Sequence, residues 1–222
     1  MRSFDQFYAL AVARKGTEEL DERLATVVSS EELTQIGDDR YLSAMARRVF
    51  AAGFVWRVVD AKWPGFEEAF AGFDPVAVAA QGEANPSALL TDTRIIRNGQ
   101  KIASTYANAR FVLEMAAEHG SFGQFIASWS DEQLVDLWTF MKKNGSRLGG
   151  DTGPRFLRGM GRDTFILTPD VTKVLTDQGI LTGKPTSQKQ QRLALEAFLR
   201  WKQESGRPMA HISVILACTV DR

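Results

Sequence analysis

Apolar residues in this chain recur at spacings of three and four, not two. Residues 4–15 set Phe4, Phe7, Tyr8, Ala11 and Val12 on one face before Gly16, which predicts an opening helix. A short acidic helix is predicted over 18–27, and Ser29 with Glu32 makes a capping box for another turn. Asp38 or Asp39 is placed to cap a helix running to about Ala52, with Leu42, Met45, Val49 and Ala52 on one face. Gly53 interrupts it. A new helix carries Trp56 to Trp63, and Pro64 is expected to open the next turn, with Phe66 and Phe70 at helical spacing. Asp74-Pro75 and Asn85-Pro86 each read as a cap followed by a first-turn proline.

Residues 101–119 form the longest clean helical pattern, with His119 in its last turn and Gly120 after it. Ser121 caps a short helix, and Ser130 with Gln133 opens another that reaches Lys143. Thr168-Pro169-Asp170 starts a helix that stops at Gly179, and residues 188–205 form a long one stopped by Gly206. The β-branched run Ile212–Val220 reads as a closing helix in helical surroundings. No strand alternation and no internal repeat appears. The expected class is all-α, one domain over 1–222 with two lobes. One lobe holds residues of about 100–180, and a terminal lobe combines about 1–40 with 181–222.

The segment Lys142 to Gly161 reads as helix end, glycine turn, helix start. Gly145 sits where a left-handed C-terminal cap belongs. Gly149-Gly150 lets the backbone turn sharply, and Asp151 or Thr152 can cap the next helix. Lys142, Lys143, Arg147, Arg155, Arg158 and Arg162 stand against one acid, Asp151. Amides at a helix N-terminus beside clustered cations suit a phosphate. The alternative is an ordinary tight turn between core helices.

Composition narrows the chemistry. Lys and Arg total 27, equal to Asp and Glu, so the net charge is zero, which argues against a generally polyanion-binding surface but not against a local patch. The charges are segregated: residues 17–39 are acidic, whereas 93–110 carry Arg94, Arg97, Lys101 and Arg110 with no acid. A single cysteine, Cys218, with only His119 and His211, leaves no cysteine-rich metal site. No metal and no cofactor is expected. No apolar run reaches the roughly 18 residues of a membrane span. Met1-Arg2-Ser3-Phe4-Asp5 lacks a signal-peptide pattern. The expectation is a cytoplasmic monomer without a membrane partner.

The run Ala52-Gly53-Phe54-Val55-Trp56, followed after sixteen intervening residues by Phe73-Asp74-Pro75-Val76-Ala77-Val78-Ala79-Ala80, resembles the DNA-3-methyladenine glycosylase I family. So do Arg94 to Ile102 and Asn108-Ala109-Arg110, and the glycine turn fits that family's helix-hairpin-helix. The resemblance covers roughly Asp39 to Gly161. It implies an all-helical DNA repair enzyme that flips a damaged, alkylated base from double-stranded DNA and hydrolyses its N-glycosidic bond. A base inside the stack is out of reach, so the duplex must be kinked and the gap filled. Phe54, beside Gly53, matches the family's apolar wedge. Trp56 matches its pocket tryptophan, and Tyr8 is a loose counterpart of a pocket tyrosine. Both Phe54 and Trp56 also have the ordinary reading of core residues. Lys143, Gly145, Arg147, Gly150 and Thr152 become the expected DNA-backbone grip.

The departures from the family are informative. The family's base-recognising glutamate falls on Arg48. A carboxylate favours a cationic methylated purine, and a guanidinium repels it. If Arg48 faces the pocket, the ligand is expected to be neutral, anionic or carbonyl-rich, or catalysis is lost; if it points to solvent or a DNA phosphate, another acid must serve. The family's zinc site joins cysteines and histidines from both ends; here Cys218 and His211 have no N-terminal partners. In the wider superfamily an aspartate follows the hairpin. Thr168 occupies that position here, and Asp170, two residues later, is the candidate catalytic acid or else a first-turn acid. Arg48, Trp56 and Asp170 are therefore the catalytic candidates. Two other readings stand: a catalytically diverged protein that binds damaged DNA, and a helical interaction domain whose acidic segment 17–39 meets a basic partner.

Overall fold

The computed structural model describes residues 2–220. In chain order its helices are α1 (Phe4–Lys15), α2 (Thr17–Glu22), α3 (Ser30–Gln35), α4 (Asp38–Ala51), α5 (Trp56–Ala69), α6 (Pro75–Ala84), α7 (Gly99–His119), α8 (Phe122–Ala127), α9 (Leu134–Asn144), α10 (Thr152–Gly159), α11 (Pro169–Asp177), α12 (Gln188–Ser205) and α13 (Met209–Cys218). No strand occurs among the described residues. The chain divides into two compact units: one holds residues up to Val28, Ser130–Thr139 and Leu157 onward, the other Ser29–Trp129 and Phe140–Phe156. The stretch 157–180 thus groups with the termini.

The larger unit is built on α7. Tyr106, Ala109 and Val112 are buried on it, and α4, α6 and α8 pack against it. An aromatic stack fills the space between α4 and α5. Trp63 lies 4.9 Å from Phe66, and Phe70 lies 5.3 Å from Phe73, both pairs near parallel. That stack explains one departure from expectation. Pro64 does not start a new turn; α5 runs through it to Ala69. An interior proline costs about 3 kcal/mol, and the burial of Trp63 and Phe66 on either side offsets it.

Other boundaries moved for local reasons. The acidic helix ends at Glu22, not Val27. Gly37, not an aspartate, is the N-cap of α4; the Asp38 carboxylate instead accepts the Phe122 amide at 2.8 Å, joining α4 to α8. Asn85 does not open a helix but ends α6 as its C-cap. Its side chain accepts from the Ser87 amide, and only a 3-10 turn over Ala88–Leu90 follows.

In the terminal unit α1, α11 and α12 pack against α13. The closing segment is helical, and Ile212, Ile215 and Leu216 are fully buried. A charged network lies inside this unit. Lys202 Nζ donates to Asp131 at 2.6 Å and to Asp163 at 2.7 Å, and Arg162 donates to Asp131 at 2.8 Å. Asp163 also accepts the amides of Met209 and Ala210, capping α13. Arg162 is therefore not part of a basic hairpin face: it is 8% exposed and belongs to this network.

Candidate DNA-binding face and base pocket

The sequence signals meet on the larger unit. After Ala51 the chain leaves α4 through Ala52-Gly53-Phe54-Val55 and enters α5 at Trp56. Gly53 has φ +77°, so a side chain there would be strained. The turn presents Phe54, 44% exposed, and Trp56, 42% exposed. Large aromatic rings left in solvent are informative where most are buried. Neither is a core residue.

Sequence reading missed what holds this turn. Lys101 on α7 is only 6% exposed. Its ammonium donates to the carbonyls of Phe50 at 3.0 Å and Ala52 at 2.6 Å. These are orphan acceptors at the C-terminal end of α4, where a cation also complements the helix dipole. The same ammonium lies 4.6 Å from the Phe54 ring centre. Burial, with Arg147 nearby, pulls the lysine below its ordinary pKa. Lys101, one of the acid-free basic run over 93–110, is an internal cap. Arg94, in the same run, is bound to Asp92 at 2.7 Å and Glu68 at 3.2 Å. No signal within residues 93–110 reveals those acids, because they come from outside it.

Arg48 sits on the last turn of α4 with its guanidinium 4.8 Å from the Trp56 ring centre. Both line a cavity of about 240 Å³ with Ala51, Asp151, Thr152 and Arg155. So Arg48 faces Trp56 and does not turn away from it. Burial, followed by the charges of Arg155 and Arg47, lowers its pKa, and Asp60 acts weakly in the other direction. Asp60 is bonded to Arg47 at 2.7 Å.

The glycine turn after α9 is fixed from outside by Asn108 on α7. Its side chain donates to the Ser146 carbonyl at 3.1 Å and accepts the Ser146 amide at 2.7 Å. The backbone goes left-handed at Arg147 (φ 61°) and Gly150 (φ 60°), not at Gly145. Gly145 is demanded by space: an added Cβ would lie 2.5 Å from Leu148 and 2.8 Å from the Met141 carbonyl oxygen. Leu148 is buried beneath the turn, whereas Lys142, Lys143 and Arg147 are exposed. Arg147 donates to Gln100. Asp151 binds Arg155 at 3.2 Å, and Thr152 opens α10.

Tyr8 and Asp170 belong to the terminal unit. Tyr8 is half-buried on α1, with the Arg207 guanidinium 4.7 Å from its ring centre. Asp170 lies in the first turn of α11 and lines a separate cavity with Arg14, Lys15 and Arg23. His211 and Cys218 do not fit a zinc site. His211 Nε2 is 2.9 Å from the Ala25 carbonyl oxygen and Cys218 is buried. Among the described residues no group of three or more His, Cys, Asp or Glu is arranged to hold a metal. No described helix is long and apolar enough to cross a membrane.

The profile of the methyladenine glycosylase family matches residues 33–145. The chain belongs to that family. The matched span carries both the Phe54–Trp56 turn and the beginning of the hairpin. A stretch of 82 residues is 37% identical to DNA-3-methyladenine glycosylase 1 of Escherichia coli K12, covering 37% of this chain and 44% of that protein. The match thus spans less than half of that curated relative. A crystal structure of 3-methyladenine DNA glycosylase I superposes with a TM-score of 0.50 at 23% identity, over 64% of this chain and 85% of that one. The enzyme from Staphylococcus aureus, solved for 3-methyladenine recognition, gives 0.50 at 21%, over 69% and 91%. These structures share the fold. The all-helical class expected from the sequence is the family's class.

Proposed function

We propose that this chain is a DNA glycosylase that flips a damaged base, alkylated as in its family, from double-stranded DNA and hydrolyses the N-glycosidic bond. The observation that carries the reading is the pinned turn that exposes Phe54 and Trp56, with Trp56 lining a cavity. An apolar side chain entering the base stack fills the gap left by a flipped nucleotide. A tryptophan beside a cavity offers the extruded base a stacking face. The hairpin holds the backbone without reading sequence: the exposed Lys142, Lys143 and Arg147 supply charge, and Gly150 and Thr152 supply close backbone approach. Tyr8 and Asp170 carry no step in this proposal. The protein is read as a cytoplasmic monomer that uses no metal. Release of free base from duplexes carrying alkylated and deaminated lesions, with protein in excess, tests the activity. No release across the panel would sink it.

A second reading is favoured by one contact. The Arg48 guanidinium covers a face of Trp56, and a protein that kept the grip but lost the pocket would bind damaged DNA without cleaving. Such a protein shows salt-sensitive binding and no base release.

A further inference from the structure

We infer that the cavity beside Trp56 takes a base that departs as an anion: an uncharged lesion with carbonyl or ring-nitrogen acceptors on its edge, in preference to one made cationic by N-alkylation. This rests on the glycosylase reading, keeps its reaction, and replaces the family's cationic alkylated base with an uncharged one as the favoured substrate.

The charges around the cavity carry the argument. Two guanidiniums line it, Arg48 and Arg155, and Arg155 is matched by Asp151 at 3.2 Å; Arg47, whose charge also acts on Arg48, is matched by Asp60 at 2.7 Å. Arg48 has no carboxylate partner and makes no hydrogen bond among the described residues. Its guanidinium carbon lies over the Trp56 ring, 4.8 Å from the centre. A contact with a ring face satisfies the charge without an acceptor, so the N–H donors of the guanidinium remain available to one. The lowered pKa of Arg48, from burial and from Arg155 and Arg47, registers the same uncompensated positive field.

That field acts oppositely on two classes of lesion. When an N-alkylated cationic base leaves, the C1′–N bond breaks and the bonding pair stays on the base, which becomes neutral. Arg48 repels the cationic ground state and has nothing to stabilise at the end. When an uncharged base leaves, the same bond pair makes it an anion. A charge-assisted hydrogen bond from Arg48 strengthens as that charge develops, which is the condition for lowering a barrier. Water adds to C1′ and loses a proton, and that proton neutralises the departed base. Ethenoadenine, hypoxanthine and xanthine belong to the favoured class. 3-Methyladenine and 7-methylguanine, which are cationic in the nucleotide, belong to the disfavoured one.

Single-turnover release from duplexes carrying each of these five bases tests the inference, with circular dichroism as the check on folding. At least one uncharged lesion should leave more than tenfold faster than either cation. Arg48→Gln should slow that release at least tenfold, and Arg48→Glu should shift the preference toward the cations. Faster release of the cations, unaffected by Arg48→Gln, overturns the inference and leaves the glycosylase reading standing. If no base leaves the duplex, the glycosylase reading fails and binding of free bases decides. Tryptophan fluorescence, referenced to Trp56→Phe, should then show xanthine bound at least tenfold tighter than a permanently cationic dimethylated guanine. Equal or reversed binding overturns the inference.

Discussion

The Lys101 ammonium lies 4.6 Å from the centre of the Phe54 ring while donating to the carbonyls of Phe50 and Ala52. One buried cation thus closes the end of α4 and sets the exposed ring that follows it. Lys101→Met keeps the stem volume and removes the donors. Two carbonyls then lose their partner, at about 1–3 kcal/mol. The expected result is a lower urea midpoint together with a loss of DNA kinking, read by energy transfer between duplex ends. Phe54→Ala, in contrast, should lose the kinking with little change in midpoint, since the ring is half exposed. Equal destabilisation by both would show that Phe54 is a structural residue.

Asn108 makes a two-way clamp on Ser146, and its effect should be separable from charge. Asn108→Asp retains the acceptor for the Ser146 amide and loses the donor to the Ser146 carbonyl. Asn108→Ala loses both, and should cost about 1–3 kcal/mol. Neither removes a cation from the hairpin. We expect DNA affinity to fall in both, and in Asn108→Ala, which adds no charge, the slope of affinity against salt stays at the wild-type value, because the slope counts neutralised phosphates. Lys143→Ala should do the opposite and reduce the slope by about one. Titrations at several salt concentrations distinguish the two effects.

Much of the fold was legible because its signals are local. Caps such as Ser29 with Glu32 and Asp74 with Pro75 act within a turn of helix and are seen where expected. The Phe54–Trp56 turn was marked by Gly53, whose positive φ is a property of one residue. The rest depends on partners distant in the chain. Nothing near Arg162 announces Asp131 and Lys202, and nothing near Lys101 announces the carbonyls at the end of α4. Both cations fall in basic clusters of the sequence, and both are internal. The same blindness affected Gly145. Its sequence position suits a left-handed cap, but its necessity comes from Leu148 folding back beneath it. The direction of Arg48 was open for the same reason, since it borders the apolar face of α4 and only packing decides which side it takes.

The two kinds of glycine in the hairpin should respond differently to substitution. Gly150→Ala meets open space and costs only the left-handed backbone penalty, about 1–2 kcal/mol. Gly145→Ala has an ordinary φ but puts its methyl against a backbone carbonyl oxygen and Leu148. The backbone cannot retreat without breaking the Asn108 clamp, so overpacking of about 1–3 kcal/mol is expected. Combining Gly145→Ala with Leu148→Ala should recover part of the loss if the side-chain contact dominates. Gly150→Ala gains nothing from the same partner. Thermal midpoints of the five variants, Leu148→Ala alone included, decide this, and additive behaviour of Gly145 with Leu148 would refute the side-chain contact as the cause.

Acid should open the terminal unit through Asp131. Burial raises its carboxyl, but hydrogen bonds from Lys202 and Arg162 outweigh that and hold it below the ordinary value. A carboxyl depressed in the folded state contributes stability above its unfolded pKa, about 3.9. That contribution disappears as pH falls through the folded value. Lys202, bonded to both Asp131 and Asp163, is opposed by burial but raised on balance, so its contribution is held throughout the acidic range and does not mask the loss. The wild type should keep its urea midpoint from pH 7 down to about 4 and lose stability below it. Asp131→Asn removes a charged partner from the buried Arg162 and the half-buried Lys202 and should cost about 1–3 kcal/mol at neutral pH. Because the titrating group is gone, the variant should show a shallower decline below pH 4 than the wild type. An unchanged acid slope in Asp131→Asn would mean that other carboxyls control acid unfolding.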